Sequence, residues 1–282
     1  MAQDKTPVDL TITPRDRRFG RGMAQKRWWM NGDPIGTAFY NALSITFPRG
    51  EAFFIESVKA FRDGASPKLE REIKAFTMQE VMHSREHVAF NKRVTDAGYD
   101  VSVLEDRVTE SLDMTRDRPQ ILNLAVTMAL EHYTAMMAAM ILRSDLFEGA
   151  DPEIAEMWRW HAVEEIEHKG VAYDTWMHAT RDWSAWKRWK VRSIMMLLVT
   201  REFWIRRVQG MLHLLRQDGI IGARAYWGIA RYLIGSPGVL RRLVPAWIAY
   251  FMPGFHPWNH DDRALIRLAD SAYEAALMPS AA

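Results

Sequence analysis

The sequence has 282 residues, 48% hydrophobic and 26% charged, so the chain is long enough to bury one large core. It contains no cysteine, which excludes disulfides, thiolate nucleophiles and cysteine-ligated iron–sulfur clusters, so any metal must be bound by His, Asp and Glu. Residues 1–22 lack the apolar stretch of a secretory signal, which predicts a cytoplasmic location.

The net charge of +2 hides an uneven distribution along the chain. Residues 181–250 contain 13 Lys and Arg against 3 Asp and Glu, a balance of +10, so the remainder carries −8. This asymmetry predicts parts with different roles. We expect an N-terminal extension over 1–32, a four-helix bundle over 33–180, and a basic, Trp-rich helical extension over 181–282 that packs on the bundle.

Helical periodicity runs through nearly the whole chain and strand patterns are scarce, which predicts an all-α protein. Capping residues, Pro at helix starts and Gly at helix ends mark four long helices, over 48–64, 66–98, 119–149 and 151–180. Residues 33–47 lead into the first of them, and the loop over 98–117 is expected to hold a short helix. Residues 183–219 predict one further long helix, whose longest apolar run is far too short to cross a bilayer.

Each of the four predicted bundle helices carries one glutamate in an otherwise apolar context. Two of these glutamates open a Glu-x-x-His motif, whose side chains lie about 60° apart around a helix and can reach one ion. In chain order the candidates are Glu51, Glu80 with His83, Glu131, and Glu165 with His168. This is the ligand pattern of di-iron carboxylate bundles. The sequence therefore predicts a ferritin-like four-helix bundle with a long helical C-terminal extension, holding two iron ions, with Mn or Zn as alternatives.

Two more histidines lie near these motifs. His161 precedes Glu165 by four residues on the same helix face, and the sequence leaves open whether it is a seventh ligand or a hydrogen-bond partner of the ligands. His87 follows His83 by four residues and is expected to support a ligand rather than to bind the metal.

The other polar residues beside the motifs are interpreted as structural. Glu164 lies about 100° from Glu165 around the helix, so Glu164 and Glu167 are expected to be ordinary helix charges. His132 points away from Glu131 and is assigned to the core. An apolar wall around the metal site is expected from Phe47, Phe54, Phe76, Met128, Tyr133 and Trp160.

Several segments carry a family resemblance. They are "RWWMNGDPIGTAFYNALSITFPRGEAFF", "KAFTMQEVMHSREHVAFN", "LEHYTA", "HAVEEIEHKGVAYD" and "PGFHPW". Together they resemble the bacterial family catalogued as predicted metal-dependent hydrolases, over roughly residues 15–260. The family's name implies hydrolysis, whereas the ligand pattern is similar to that of bacterial multicomponent monooxygenases and di-iron arylamine N-oxygenases. The similarity to the N-oxygenases implies that His161 joins the other six candidates in a histidine-rich site.

Three functions are compatible with these features. The favoured one is an O₂-dependent di-iron oxygenase or hydroxylase that acts on a small apolar or lipid-like substrate and takes electrons from an external donor. The alternatives are a metal-dependent hydrolase with a dinuclear site, in which the metals activate water and polarise the substrate, and a non-catalytic iron-binding protein.

The basic extension predicts contact with an anionic membrane surface. Trp183, Trp186 and Trp189 recur every three residues, so on a helix their rings share an arc of roughly 120°, with basic residues between them. Such a surface suits peripheral binding at the inner face of the membrane. The alternative is that the extension packs on the bundle or forms a homodimer interface. The charges match no nucleic-acid-binding fold, so no nucleic acid is expected.

Overall fold

The computed structural model describes residues 5–7, 9–22 and 26–277, and every regular element within these ranges is helical, which confirms the all-α class. The helices are α1 Pro34–Ser44, α2 Phe47–Lys59, α3 Pro67–Asp96, α4 Ser102–Arg116, α5 Gln120–Leu142, α6 Pro152–His168, α7 Val171–Ala179, α8 Ala185–Gln217, α9 Gly222–Ala230, α10 Val239–Ala249 and α11 Arg263–Leu277. A π-helical turn, Arg231–Gly235, continues α9, and a 3₁₀ turn, Pro257–Asn259, precedes α11.

The predicted capping residues begin their helices as expected. The Ser66 side chain accepts a hydrogen bond from Leu69 N (3.2 Å) at the start of α3, and Pro67 follows at the first helical position. The Asp151 carboxylate accepts from two backbone N–H groups at the start of α6. These caps fix where the two Glu-x-x-His helices begin, and therefore the register of their ligands.

The helix expected within residues 98–117 is present as α4, which is 15 residues long. Other helix boundaries differ from the sequence-based prediction. Residues 33–47 contain a separate helix, α1. The helix predicted over 151–180 is broken at Gly170, where a Cβ atom would lie 2.9 Å from Thr6 Oγ1 and 3.0 Å from a Trp258 ring atom. Glycine at this position, between α6 and α7, permits the close approach of Thr6 and Trp258.

The helices that carry the candidate ligands pack around one another. α2 packs against α3 and α5, while α6 packs against α5 and α3. α5 is central: by length and composition it could cross a membrane, but 83% of its most apolar window is buried inside the protein. That burial fits a core helix. A specifically ferritin-like arrangement of the four helices stays a prediction.

The extension predicted over 181–282 lies against the other helices, with α8 along α1 and α5 and α10 on α5. The predicted arc of three tryptophans is wrong, because Ser184 caps α8 and leaves Trp183 outside the helix, edge-on to Trp176 at 5.5 Å. Trp186 and Trp189 do share one face of α8, with ring centroids 4.9 Å apart, and Trp186 is 67% exposed.

Candidate metal centre

The seven side chains proposed as ligands lie together between α2, α3, α5 and α6, and none is more than 3% exposed. They form three overlapping groups. Within each group, every residue has one N or O atom that lies within 4.8 Å of the corresponding atoms of the other two. The groups are Glu51 with His83 and His161, Glu80 with His83 and Glu165, and Glu80 with Glu131 and His168.

The overlap of these groups fits two neighbouring ions. The first and third groups share no residue, whereas the second shares His83 with the first and Glu80 with the third. Glu165 also reaches both ends, because its Oε1 lies 2.8 Å from His161 Nε2 and its Oε2 lies 3.5 Å from His168 Nε2. The carboxylates of Glu80 and Glu165 therefore lie between the first and the third group of donors. Bridging carboxylates lie in this way between the ions of dinuclear bundles.

The buried polar atoms of the cluster are poorly satisfied by the protein itself. Among the described residues, eight of them have no partner with hydrogen-bond geometry: Glu51 Oε1, both Glu80 oxygens, His83 Nδ1, both Glu131 oxygens, Glu165 Oε2 and His168 Nε2. His168 Nε2 lies 3.2 Å from Glu80 Oε1 and 3.5 Å from Glu165 Oε2, so these contacts are electrostatic. Most buried polar groups in folded proteins are paired, and leaving one unpaired is costly. Coordination to metal ions would satisfy these atoms together, so the residues present fit a metal centre.

Three carboxyl groups of the cluster, those of Glu51, Glu80 and Glu131, have raised pKa values because they are buried. Burial, followed by repulsion from neighbouring carboxylates, raises the pKa of Glu80 and Glu51 well above the usual value. Burial also raises the pKa of Glu131, to about 7. A bound cation would reverse this effect, because it stabilises the ionised carboxylates.

Glu165 and His168 behave as an ion pair within the cluster. Burial raises the pKa of Glu165, but the charge of His168 and the hydrogen bond from His161 outweigh it, so the pKa falls well below the usual value. Burial likewise lowers the pKa of His168, and attraction to Glu165 outweighs it and raises the pKa. A metal ion would take the place of the His168 proton.

Each of the three histidines has one nitrogen occupied by a partner outside the cluster. These contacts are His83 Nε2 with Glu164 Oε2 (3.1 Å), His168 Nδ1 with Gln79 Oε1 (2.9 Å) and His161 Nδ1 with His87 Nε2 (2.8 Å). The other nitrogen of each ring faces the carboxylates. Outer partners of this kind fix the ring orientation and tautomer of metal-binding histidines.

Glu164 and Glu167 are not the solvated helix charges that the sequence predicted, since they are 0% and 3% exposed. The reason is that residues 12–20 run over this face of α6 and supply the hydrogen bonds that water would otherwise provide. Glu164 Oε1 accepts from Arg15 N (2.7 Å), and Glu167 Oε2 accepts from Thr13 N (3.0 Å). The sequence does contain a signal for this contact: the basic segment "PRDRRFGRG" before the bundle could pair with the acidic residues of α6.

A second partner missed at the sequence level is Gln79. Its side chain joins His168 to Glu167, since its Oε1 contacts His168 Nδ1 and its Nε2 donates to Glu167 Oε2 (2.9 Å). Gln79 directly precedes Glu80 on α3, and its amide contacts α6 through these two hydrogen bonds.

His87 and His132 lie where the sequence placed them. His87 contacts His161 through Nε2 and Ser44 Oγ through Nδ1 (2.7 Å), and burial lowers its pKa. His132 contacts Ala246 O (3.1 Å) away from the cluster, and burial lowers its pKa to about 4.

Aromatic rings enclose the histidines. Phe47 lies 4.9 Å from the His161 ring, Phe76 lies 4.9 Å from His168, and Trp160 lies 5.0 Å from His83. The other wall residues predicted from the sequence are also buried, and Tyr133 stacks on Phe203 of α8.

Two cavities adjoin the centre on one side. The smaller is lined in part by His161 and Glu165 and has about 20 Å³ of free space, enough for one water molecule. The larger has about 380 Å³ and lies between α2, α4, α5 and α8; we call it the α8 cavity. Leu43, Phe47 and Thr134 line both cavities, so these side chains lie between the α8 cavity and the small cavity beside His161 and Glu165.

The comparisons with known proteins agree with a metal-dependent protein. A family model described as predicted metal-dependent hydrolase matches residues 13–261. No match was found among the curated proteins or among the solved structures. Because the family model covers most of the chain, the protein belongs to the family of predicted metal-dependent hydrolases.

Proposed function

We propose that this protein is an enzyme with a dinuclear metal centre formed by the seven clustered Glu and His side chains. The observation that carries the proposal is the set of eight unpaired N and O atoms in a fully buried space. Four carboxylates would offset the charge of two ions, and the three imidazoles would supply nitrogen donors. The outer contacts from Glu164, Gln79 and His87 would hold the imidazoles in place.

Hydrolysis is the reaction that the family description supports. Two bound metals would lower the pKa of a water molecule and polarise a carbonyl or phosphoryl oxygen. The small cavity beside His161 and Glu165 has room for that water. His161, held by His87, would orient it, and the aromatic residues around the centre would keep other water out.

Oxidation by O₂ at two iron ions is the second candidate, and the donor set favours it. All seven donors are N or O atoms on helices, and the site is walled by buried aromatic rings. Such walls protect a substrate radical or cation from water. An external electron donor would be required, since the sequence has no flavin or nicotinamide fingerprint.

One loading experiment tests both candidates. Metal-free protein is divided and loaded anaerobically with Fe(II), or with Mn(II) or Zn(II). Rapid O₂ uptake with a transient visible absorption in the iron form supports oxidation. Cleavage of a p-nitrophenyl ester or phosphate by the Zn or Mn form supports hydrolysis. Protein that binds none of these metals at the cluster would overturn the proposal itself.

A further inference from the structure

The α8 cavity has an apolar interior and a strongly basic lining. Its apolar walls include Phe53, Phe54, Leu104, Val126 and Leu130. Among the described residues that line it there are five arginines, Arg107, Arg118, Arg201, Arg206 and Arg207, and a single acidic residue, Glu202. A cavity of this size falls in the range of small-molecule sites.

Arg207 is the most unusual of these residues. It is 3% exposed, its Nε has no hydrogen-bond partner, and no carboxylate pairs with it in the described part of the chain. Its guanidinium lies 5.1 Å from the Phe203 ring centroid and 5.8 Å from that of Phe39. Its neighbour Arg206, by contrast, is paired with Glu202 at 2.6 Å. An unpaired buried charge is costly, so an anion from outside would find an unmet partner here.

Two further observations support an anion site at Arg207: the lowered pKa of Arg207 and the unpaired side-chain nitrogen of Arg107. Burial alone lowers the pKa of Arg207 to about 9, with no neighbouring carboxylate to raise it again. Arg107 of α4, which also lines the cavity, has a buried Nη1 with no hydrogen-bond partner in the described part of the chain. The cavity therefore contains two guanidinium groups with unused donors, and a guanidinium suits the planar, bidentate recognition of carboxylate or phosphate.

We propose that the α8 cavity binds an amphipathic anion, with a single carboxylate or phosphate group held by Arg207 and Arg107 and an apolar chain against the Phe and Leu side chains. This rests on the proposed function, because such a molecule becomes a substrate only if the neighbouring centre binds metal. Leu43, Phe47 and Thr134 line both the α8 cavity and the small cavity beside His161 and Glu165, so movement of these side chains would join the two cavities.

The test compares three probes that share one chain. Calorimetric titration of the metal-loaded, full-length protein with dodecanoate, dodecyl phosphate and dodecanol measures what the anionic group contributes. We expect both anions to bind about tenfold or more tightly than the alcohol, because a charge-assisted hydrogen bond is lost with the alcohol. Whichever of the two anions binds more tightly identifies the head group.

Variants then locate the effect. Arg207→Met keeps the bulk of the side chain and should weaken both anions about tenfold or more while leaving dodecanol unchanged. Arg207→Lys should restore part of the loss. Arg216→Met removes an exposed arginine from the same helix and should change nothing. Thermal melts check folding, and Arg207→Met should melt no lower than the wild type, because it removes an unpaired buried charge.

Two outcomes would overturn the inference: dodecanol that binds as tightly as the anions, or Arg207→Met protein that keeps wild-type affinity for both anions. Glu131→Ala protein separates this inference from the proposed function. This variant should lose metal and still bind dodecanoate, because Arg207 is unchanged. If the wild-type protein binds no metal, the proposed function fails, but binding of dodecanoate that depends on Arg207 would still support the α8 cavity as an anion site.

Discussion

At the residue scale, the candidate centre depends on hydrogen bonds that lie outside it. Glu164 has no atom in the three donor groups, yet it contacts His83 Nε2 and accepts from the backbone of Arg15. It therefore connects the N-terminal segment to the orientation of a candidate ligand. Contacts of this kind to metal ligands are worth about 10–100-fold in metal affinity.

Replacing Glu164 with alanine should thus weaken metal binding about 10–100-fold without removing the site. The free His83 Nε2 would allow the ring to rotate and to change tautomer. Competition with a coloured chelator measures the affinity. Glu148→Ala, which removes an exposed glutamate, is the control. Equal affinity in the Glu164→Ala and wild-type proteins would mean that the His83 orientation does not depend on this contact.

The stability of the metal-free protein should fall as the pH rises above about 6.5, the ordinary pKa of His168. A carboxyl or imidazole group whose pKa is raised on folding favours the folded state at low pH, and this contribution disappears as the pH approaches the raised value. Glu131, whose pKa is raised to about 7, and Glu80, whose pKa is raised well above its usual value, are such carboxyls, and the raised pKa of His168 acts in the same direction. Histidines with lowered pKa, such as His83, affect stability only below their unfolded value of 6.5.

Bound metal should oppose this trend, because it replaces protons on the same groups. The difference in Tm between metal-loaded and metal-free protein should therefore widen over this pH range, as measured by calorimetry. A constant difference would contradict the assignment of these groups as ligands.

At the element scale, the ligand-bearing helices were predictable from residue spacing along the chain, whereas the contacts between distant segments were not. The Glu-x-x-His motifs and the caps at Ser66 and Asp151 predicted the ligand-bearing helices, because both are local features. The close approach of Thr6 and Trp258 to Gly170 was not predictable, because both residues are far from it in sequence. The same holds for Glu164, whose burial is caused by the segment over 12–20.

Close packing between α8 and the bundle gives a testable element-scale consequence. A Cβ atom on Gly210 of α8 would lie 3.0 Å from Ala42 Cβ of α1, and 3.3 Å from Leu104. Gly210→Ala should therefore lower the free energy of unfolding by about 1–2 kcal/mol, since overpacking outweighs the gain in helix propensity. Gly50→Ala, in α2 with no atom within 4 Å of the new methyl group, should raise it by up to about 1 kcal/mol. Denaturant unfolding measures both, and a stabilising Gly210→Ala would show that α8 is not packed closely on α1.

At the scale of the whole molecule, the exposed large apolar side chains are concentrated on the basic extension. Those over 186–252 include Trp186, Leu197, Leu198, Ile205, Ile221, Tyr226, Trp227, Ile234, Ile248 and Met252. Exposed apolar surface on this scale marks an interaction site, and the +10 balance of residues 181–250 favours an anionic partner. We propose that this surface contacts anionic lipid, with a homodimer interface as the competing arrangement.

The protein should accordingly co-sediment with anionic vesicles at low salt and detach as salt rises. Trp186→Ser and Trp227→Ser, which remove side chains 67% and 73% exposed, should each weaken the binding. Trp28→Ser, at a 40% exposed tryptophan outside the extension, should not. Failure to bind vesicles even at low salt, together with a dimer in sedimentation analysis, would assign the surface to self-association.

The central claim is that one buried cluster binds two metal ions, and metal analysis of purified protein tests it most directly. Wild-type protein loaded with Fe(II), Mn(II) or Zn(II) and freed of excess metal should contain about two ions per chain. Glu131→Ala, which removes two of the eight unpaired atoms, should contain about one or none while it keeps its helical circular dichroism. Wild-type protein without bound metal, or Glu131→Ala protein that retains two ions, would contradict the account.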